Sequence, residues 1–294
     1  MTALIFKHHH SQQDQSVNFE HRFEDHPGML EARYVRRVDD YFIVYLSSQT
    51  GCKQACRMCW LTATGQTNHR DTTVEEYLQQ AEEVFAYYRE QAPAKLVHFN
   101  FMARGDALAS NVFLDNADTI LAGLAAIATR HGLKYKFLVS TIFPKTMTGL
   151  KLNDIFRVPE LYPEIYYSLY TTNRAKRKRW LGKAMDVPYA MDLLQAWQLR
   201  TKKVPKIHFA FIEGVNDNYG EMLAIGHTMK AWNLKVNLNI VRYNPPTPEH
   251  SKEPEEAVIQ NLTAFLVKLI NPERWRIVPR VGTDVMASCG TFLK

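Results

Sequence analysis

The chain has 294 residues, 46% of them hydrophobic, enough to bury a full core as one domain. With 36 Lys and Arg against 30 Asp and Glu, it carries a formal charge of +6 and an isoelectric point near 9.0, a bias toward polyanionic partners. No run approaches the ~18 to 20 apolar residues that cross a bilayer and the N-terminus has no apolar signal segment, so a cytoplasmic protein without a membrane partner is expected.

Residues 1–27 are polar and His-rich, with His8, His9 and His10 followed by Ser-Gln-Gln-Asp-Gln-Ser, and read as a poorly ordered arm rather than a metal site. Residues 28–294 read as one domain. Glu31–Arg37 and Tyr41–Ser48, rich in Tyr, Val, Ile and Phe, predict two strands, the second leading into a cysteine loop. Thr73-Val74-Glu75-Glu76 is a capping box that opens a helix to about Gln91, apolar at Tyr77, Leu78, Ala81, Val84, Phe85 and Tyr88. Strands at Leu96–Met102, Tyr135–Ser140, Glu164–Tyr170, Lys206–Ile212, Lys235–Val241 and Arg274–Val278 then alternate with helices at Leu114–Arg130, Ala190–Arg200, Gly220–Trp232 and Glu255–Leu269. Six βα repeats predict an α/β fold with a parallel sheet wrapped by helices.

Three of the four cysteines stand together as Cys52, Cys56 and Cys59. Thiolates at that spacing can hold three corners of a cubane iron-sulfur cluster and leave one iron open to a small molecule. The same three with His69 would make a closed zinc site, although such sites usually show two separated ligand pairs. A structural disulfide would leave one of the three thiols unpaired. Arg174, Lys176, Arg177, Lys178 and Arg179 form a basic run just after a predicted strand, either a solvated helix start or a phosphate-contacting surface.

The CxxxCxxC loop resembles the signature of radical S-adenosylmethionine (SAM) enzymes. Its surroundings are similar to the RlmN/Cfr-type family, which methylates adenine carbons in ribosomal and transfer RNA. The matching segments are Ser47-Ser48-Gln49-Thr50-Gly51-Cys52, Ser168-Leu169, Gly214-Val215-Asn216-Asp217, Val236-Asn237-Leu238-Asn239, Tyr243-Asn244-Pro245 and Ala287-Ser288-Cys289-Gly290. The resemblance covers Gly28 to the C-terminus and implies a partial (β/α)6 barrel with a small N-terminal β extension, its site at the C-terminal strand ends. It further implies a [4Fe-4S] cluster on Cys52, Cys56 and Cys59, SAM as cofactor, an rRNA or tRNA substrate, and an electron donor such as flavodoxin or ferredoxin.

The resemblance also assigns roles. In Met102-Ala103-Arg104-Gly105-Asp106-Ala107-Leu108, Gly105 and Asp106 fit the family's SAM-binding turn, while Ala103, Arg104 and Ala107 depart from it. Ser140, Ser168 and Asn244 fall at further cofactor positions, and Cys289 at the cysteine that SAM methylates before a second SAM supplies the radical. Plainer readings stand beside these: an Asp cap, two capping serines, a turn asparagine before proline, and a small buried hydrophobe. Two features depart from the family. Its second catalytic cysteine, seven residues before the first cluster ligand, is replaced by Tyr45, which reads as a strand aromatic or a base and forms no disulfide. The residues ahead of Gly28 are too few for the family's helical RNA-binding domain. The expected activity is methylation of adenine C2 or C8 in RNA through Cys289. The alternatives are a radical SAM enzyme acting on another substrate without that relay, and a zinc-stabilised RNA-binding protein.

Overall fold

Polar and apolar residues alternate along most of the strands, and the alternation sorts the two faces of the sheet. The computed structural model describes residues 3–247 and 249–294. In chain order the elements are β1 (Lys7–His10), β2 (Val17–Arg22), β3 (Met29–Val38), β4 (Tyr41–Tyr45), α1 (Trp60–Ala63), α2 (Val74–Tyr88), β5 (Leu96–Phe101), α3 (Asn111–Arg130) and β6 (Lys134–Thr141). They continue as α4 (Leu152–Ile155), β7 (Glu164–Ser168), α5 (Arg174–Trp180), α6 (Val187–Thr201), β8 (Lys206–Ala210), α7 (Tyr219–Ala231), β9 (Asn237–Val241), α8 (Glu256–Ile270) and β10 (Trp275–Val278). All ten strands form one sheet in chain order, antiparallel from β1 to β4 and parallel from β4 to β10.

Side chains of a strand point alternately to opposite faces. Val97, Phe99, Phe101, Phe137, Val139, Ile165, Tyr167, Ile207, Phe209, Leu238 and Ile240 therefore join α2, α3, α6, α7 and α8 in the main core. Their neighbours His98, Asn100, Leu138, Tyr166, His208, Asn239 and Arg276 line one chamber on the other face, with Arg37, Ile43 and Tyr45. Every strand from β3 to β10 sends a side chain there, so the sheet curls into a partial barrel around a largely polar lumen. Parallel strands covered on both faces usually read as continuous apolar runs; these keep a period of two because the lumen is polar.

Two expectations from the sequence are corrected. Residues 7–10 and 17–22 are strands, not a poorly ordered arm. Val17 and Phe19 are buried in the core and β2 pairs along β3, while His8 and His9 meet Glu83 at 2.6 Å and Glu20 at 2.8 Å. In addition, α3 is long and apolar enough by composition to cross a membrane, with mean hydropathy 1.3. Its residues Phe113, Ala117, Ile120, Leu121 and Leu124 lie instead in the main core, packed beside α2.

A buried charge cluster fastens the C-terminal segment to the sheet. The Glu31 carboxylate on β3 accepts from Arg33 and Arg104 at 2.8 Å each, from Asn18 at 3.0 Å and from the Leu293 N–H at 3.0 Å. Arg33 also donates to the carbonyls of Ser288 (3.2 Å) and Thr291 (2.6 Å), and Arg104 to that of Leu293 (2.7 Å). Burial pushes the Glu31 carboxyl up; Arg104 and Arg33 beside it outweigh that and hold it below its ordinary value.

Removing one partner from a buried ionic cluster costs about 3 to 5 kcal/mol, because the remaining charge stays buried and uncompensated. Glu31→Gln is expected to lower the unfolding free energy by that order in denaturant melts and to open residues 285–294 to protease. Lys95→Ala, which breaks the exposed pair with Asp40, should leave the melts almost unchanged.

Candidate active site

The chain leaves β4 into the cysteine loop, and Gly51 is the residue that lets the loop fold back. A Cβ there would lie 2.4 Å from the Asn68 carbonyl oxygen and 2.8 Å from that of Gln66. With that space free, the Cys52 N–H donates to Gln66 at 3.1 Å, and the Cys59 N–H closes a turn on the Cys56 carbonyl at 3.0 Å. At the next strand end, Gly105 adopts a left-handed φ of 86°, and a Cβ there would meet Gln49 at 2.8 Å. The turn after β5 therefore presses against the lead-in to the cysteine loop.

These two loops and the strand ends enclose a cavity of about 170 Å³. Cys52, Cys56 and Cys59 line it, as do Gly105, Asp106, Ser140, Ser168, Asn244 and Cys289. Burial pushes all three clustered thiols up, Cys52 to about 12, and Cys52 and Cys56 are raised further by their neighbouring cysteines. Buried thiols that crowd one another hold thiolate charge only against a positively charged group, so the donor set fits a metal centre. His69 does not line the cavity. Among the described residues no three His, Cys, Asp or Glu side chains are gathered so as to hold a single ion.

Asp106 lines the cavity and is the turn cap that one reading of the sequence expects. It caps the turn by accepting from the Leu108 N–H at 3.0 Å, and it accepts from the Thr141 hydroxyl at 3.1 Å and the Ile142 N–H at 3.0 Å. Burial nevertheless pushes its carboxyl up to about 6, as for a carboxylate that lacks a cation. The Ser140 and Ser168 hydroxyls face the cavity without a hydrogen-bond partner among the described residues. Asn244 is already engaged: it donates to the Cys289 carbonyl at 2.8 Å, accepts from Arg280 at 2.8 Å, and its own carbonyl takes the Trp60 indole N–H at 3.1 Å. It holds the tail against the cysteine loop.

Cys289 is exposed, through the cavity on one side and the lumen chamber on the other. Protein surrounds it closely enough that burial raises its thiol, while Arg33 and Arg37 pull it back. Tyr45 shares the lumen chamber with Cys289 but does not line the larger cavity.

The basic run divides. Arg177 is 4% exposed and donates to the carbonyls of Met185, Leu169 and Ile142. Lys176 is bound to Glu221 and to the Val215 carbonyl, each at 2.7 Å. The expectation that both contact phosphate is corrected: the helical period turns Arg177 inward with Trp180, and Lys176 is tied to the next helix. Arg174, Lys178 and Arg179 remain exposed.

Several lumen residues escaped the sequence reading, although the pattern Val97-His98-Phe99-Asn100-Phe101, repeated at Ile207-His208-Phe209 and Leu238-Asn239-Ile240, announces them. Burial, then nearby cations, lowers both His98 and His208 to about 4, so both rings are neutral at pH 7. Asn100, 5% exposed, has an unpartnered Oδ1.

No family model matches the chain. Among solved structures, a radical SAM methyltransferase from Sphaerobacter thermophilus superposes with a TM-score of 0.81 at 18% identity, over 99% of this chain and 81% of that one. The chain therefore shares the fold of that structure. Among curated proteins, the dual-specificity RNA methyltransferase RlmN of Helicobacter hepaticus is 24% identical over 259 residues, 83% of this chain and 63% of its own length. The probable dual-specificity RNA methyltransferase RlmN of Chloroherpeton thalassium is 26% identical over 292 residues, 94% of this chain and 72% of its own. The chain is thus similar over most of its length to curated proteins named RlmN-type RNA methyltransferases. It spans 63% and 72% of the length of these two relatives.

The lumen histidines give a pH signature. Their folded pKa lies below the unfolded value of about 6.5, so the stability they contribute is present above pH 6.5 and lost as pH falls toward 4. For His208 this amounts to about 3 kcal/mol. Denaturant melts of the wild type should weaken over that window, and His208→Gln should remove about that much of the pH dependence.

Proposed function

We propose that the cavity holds a [4Fe-4S] cluster and SAM, and that Cys289 carries a methyl carbon to an adenine ring carbon in RNA. The observation that carries this reading is the meeting of Cys289 with Cys52, Cys56 and Cys59 on one cavity, from opposite ends of the chain. When bound, the cluster and SAM supply one-electron chemistry and a methyl group.

The chain's own residues supply the rest. Cys52, Cys56 and Cys59 would hold the metal and leave one vertex to the cavity. Asp106, ionised at pH 7, meets a cationic amino group, and the free hydroxyls of Ser140 and Ser168 take polar groups of the cofactor. Burial raises the Cys289 thiol, and Arg33 and Arg37 offset part of that cost of the thiolate, the form that accepts a methyl group. Asn244 fixes the Cys289 backbone while Leu61, Ile142, Leu181 and Phe292 give the walls an apolar share that limits water. Tyr45, beside Cys289, offers a phenol for proton transfer and no sulfur for a disulfide, so the product is released by a route that forms no protein disulfide. RNA as substrate is supported by the relatives, named RNA methyltransferases, and by the exposed Arg174, Lys178 and Arg179. A one-electron donor of the flavodoxin or ferredoxin kind and a cytoplasmic setting complete the reading. Tyr45 favours one second reading, a radical SAM reaction on another substrate without the methyl-cysteine relay.

Mass spectrometry of protein expressed with an intact cluster and SAM supply decides between them. One methyl group on Cys289 is expected; an unmodified thiol there contradicts the relay. A hydrogen bond to a charged group contributes about 1.5 to 3 kcal/mol. Asp106→Asn is therefore expected to weaken SAM binding roughly tenfold or more in calorimetry, and wild-type affinity should decline below about pH 6 as Asp106 protonates.

A further inference from the structure

The loops after β6 and β7 enclose a second depression, an open groove of about 1070 Å³. Residues 145–151 form one wall, and α5 with the start of α6 forms the other. Leu181 lines both this groove and the candidate active-site cavity. Lys183, two residues on, donates to the Lys53 carbonyl in the cysteine loop at 2.6 Å. The groove and the cavity therefore open on the same rim of the barrel.

Four exposed cations line the groove, Lys145 and Lys151 from one wall, Arg174 and Lys178 from the other. Its two carboxylates are engaged: Asp186 lies 3.5 Å from Arg174, and Asp192 accepts the Trp232 indole N–H at 2.7 Å. Among the cations stand two large apolar side chains, Tyr189 at 67% exposure and Leu150 at 40%. A basic channel with an open aromatic face is the arrangement that tracks a single-stranded nucleic acid, phosphates on the cations and a base on the ring. A duplex keeps its base faces stacked inside and offers nothing to Tyr189.

We propose that this groove binds a single-stranded RNA segment flanking the nucleotide presented to the cavity, with Lys145, Lys151, Arg174 and Lys178 on its backbone and Tyr189 stacked on one base. The inference rests on RNA being the substrate. It adds where the strand runs and which residues grip it.

The test uses the full chain and a fluorescent single-stranded RNA oligonucleotide of mixed sequence, with affinity measured across a salt series. Each phosphate that no longer meets a cation lowers the slope of log affinity against log salt by about 0.7. Replacing Lys145, Lys151, Arg174 and Lys178 with Gln should therefore reduce the slope by up to about 3. Tyr189→Ala should weaken binding about 5- to 150-fold with the slope unchanged, and Tyr189→Phe should keep near-wild-type affinity. Lys230→Gln with Lys235→Gln, at the opposite end of the strands, should change neither quantity. Wild-type binding that is indifferent to all groove substitutions overturns the groove and leaves the RNA reading standing. A wild type that binds no RNA overturns both. Polyglutamate that competes as well as RNA, with Tyr189→Ala silent, marks an acidic protein partner and also overturns the proposal.

Discussion

The buried carboxylate of Glu31 is the junction on which the site depends. It joins a strand of the N-terminal extension, the turn that carries Gly105 and Asp106, and the tail that carries Cys289, through Arg33, Arg104 and the Leu293 N–H. The Arg104 backbone adds a fourth element, because its carbonyl takes the N–H groups of Ser48 (2.8 Å) and Gln49 (3.3 Å) just ahead of the cysteine loop. Ionic clusters of this kind contribute little net stability compared with apolar packing, yet tolerate only one arrangement of their partners. That selectivity suits a cavity whose walls come from both ends of the chain.

The electrostatics of the cavity and of the lumen complement each other. The cavity gathers three thiols and a carboxyl, all raised by burial, so negative charge there is costly without a positively charged partner. The lumen beneath holds Arg37 and Arg276 with two histidines that burial keeps neutral. Cys289 stands at the boundary, open to both. A thiol placed there faces the three cysteines on one side and, on the other, cations that offset part of the effect of burial on it.

Much of this arrangement was legible in the sequence because it is local. The order of strands and helices follows from alternation and from the capping box at Thr73, which the structure forms with Glu76. The cysteine spacing, Gly105, Asp106 and Cys289 led directly to the cavity. What was not legible depends on tertiary partners. Arg104 reads as a departure from a motif until Glu31 is seen beside it. Arg177 reads as one more exposed cation until three backbone carbonyls surround it. The histidine-rich opening conceals Val17 and Phe19, whose burial makes it part of the sheet, and the asparagine before Pro245 gives no sign that it holds Cys289. Tyr45 is the converse case, a single difference visible at once in the sequence whose consequence for the chemistry lies in what a phenol cannot do.

Whether the assembled cavity takes up a cluster and SAM is decided by electron paramagnetic resonance of anaerobically reconstituted, reduced protein. About four iron and four sulfide per chain are expected, with a cluster signal that shifts when SAM is added, as it would if one iron without a cysteine ligand took SAM. A colourless protein with one zinc, or a cluster signal indifferent to SAM, would contradict that expectation.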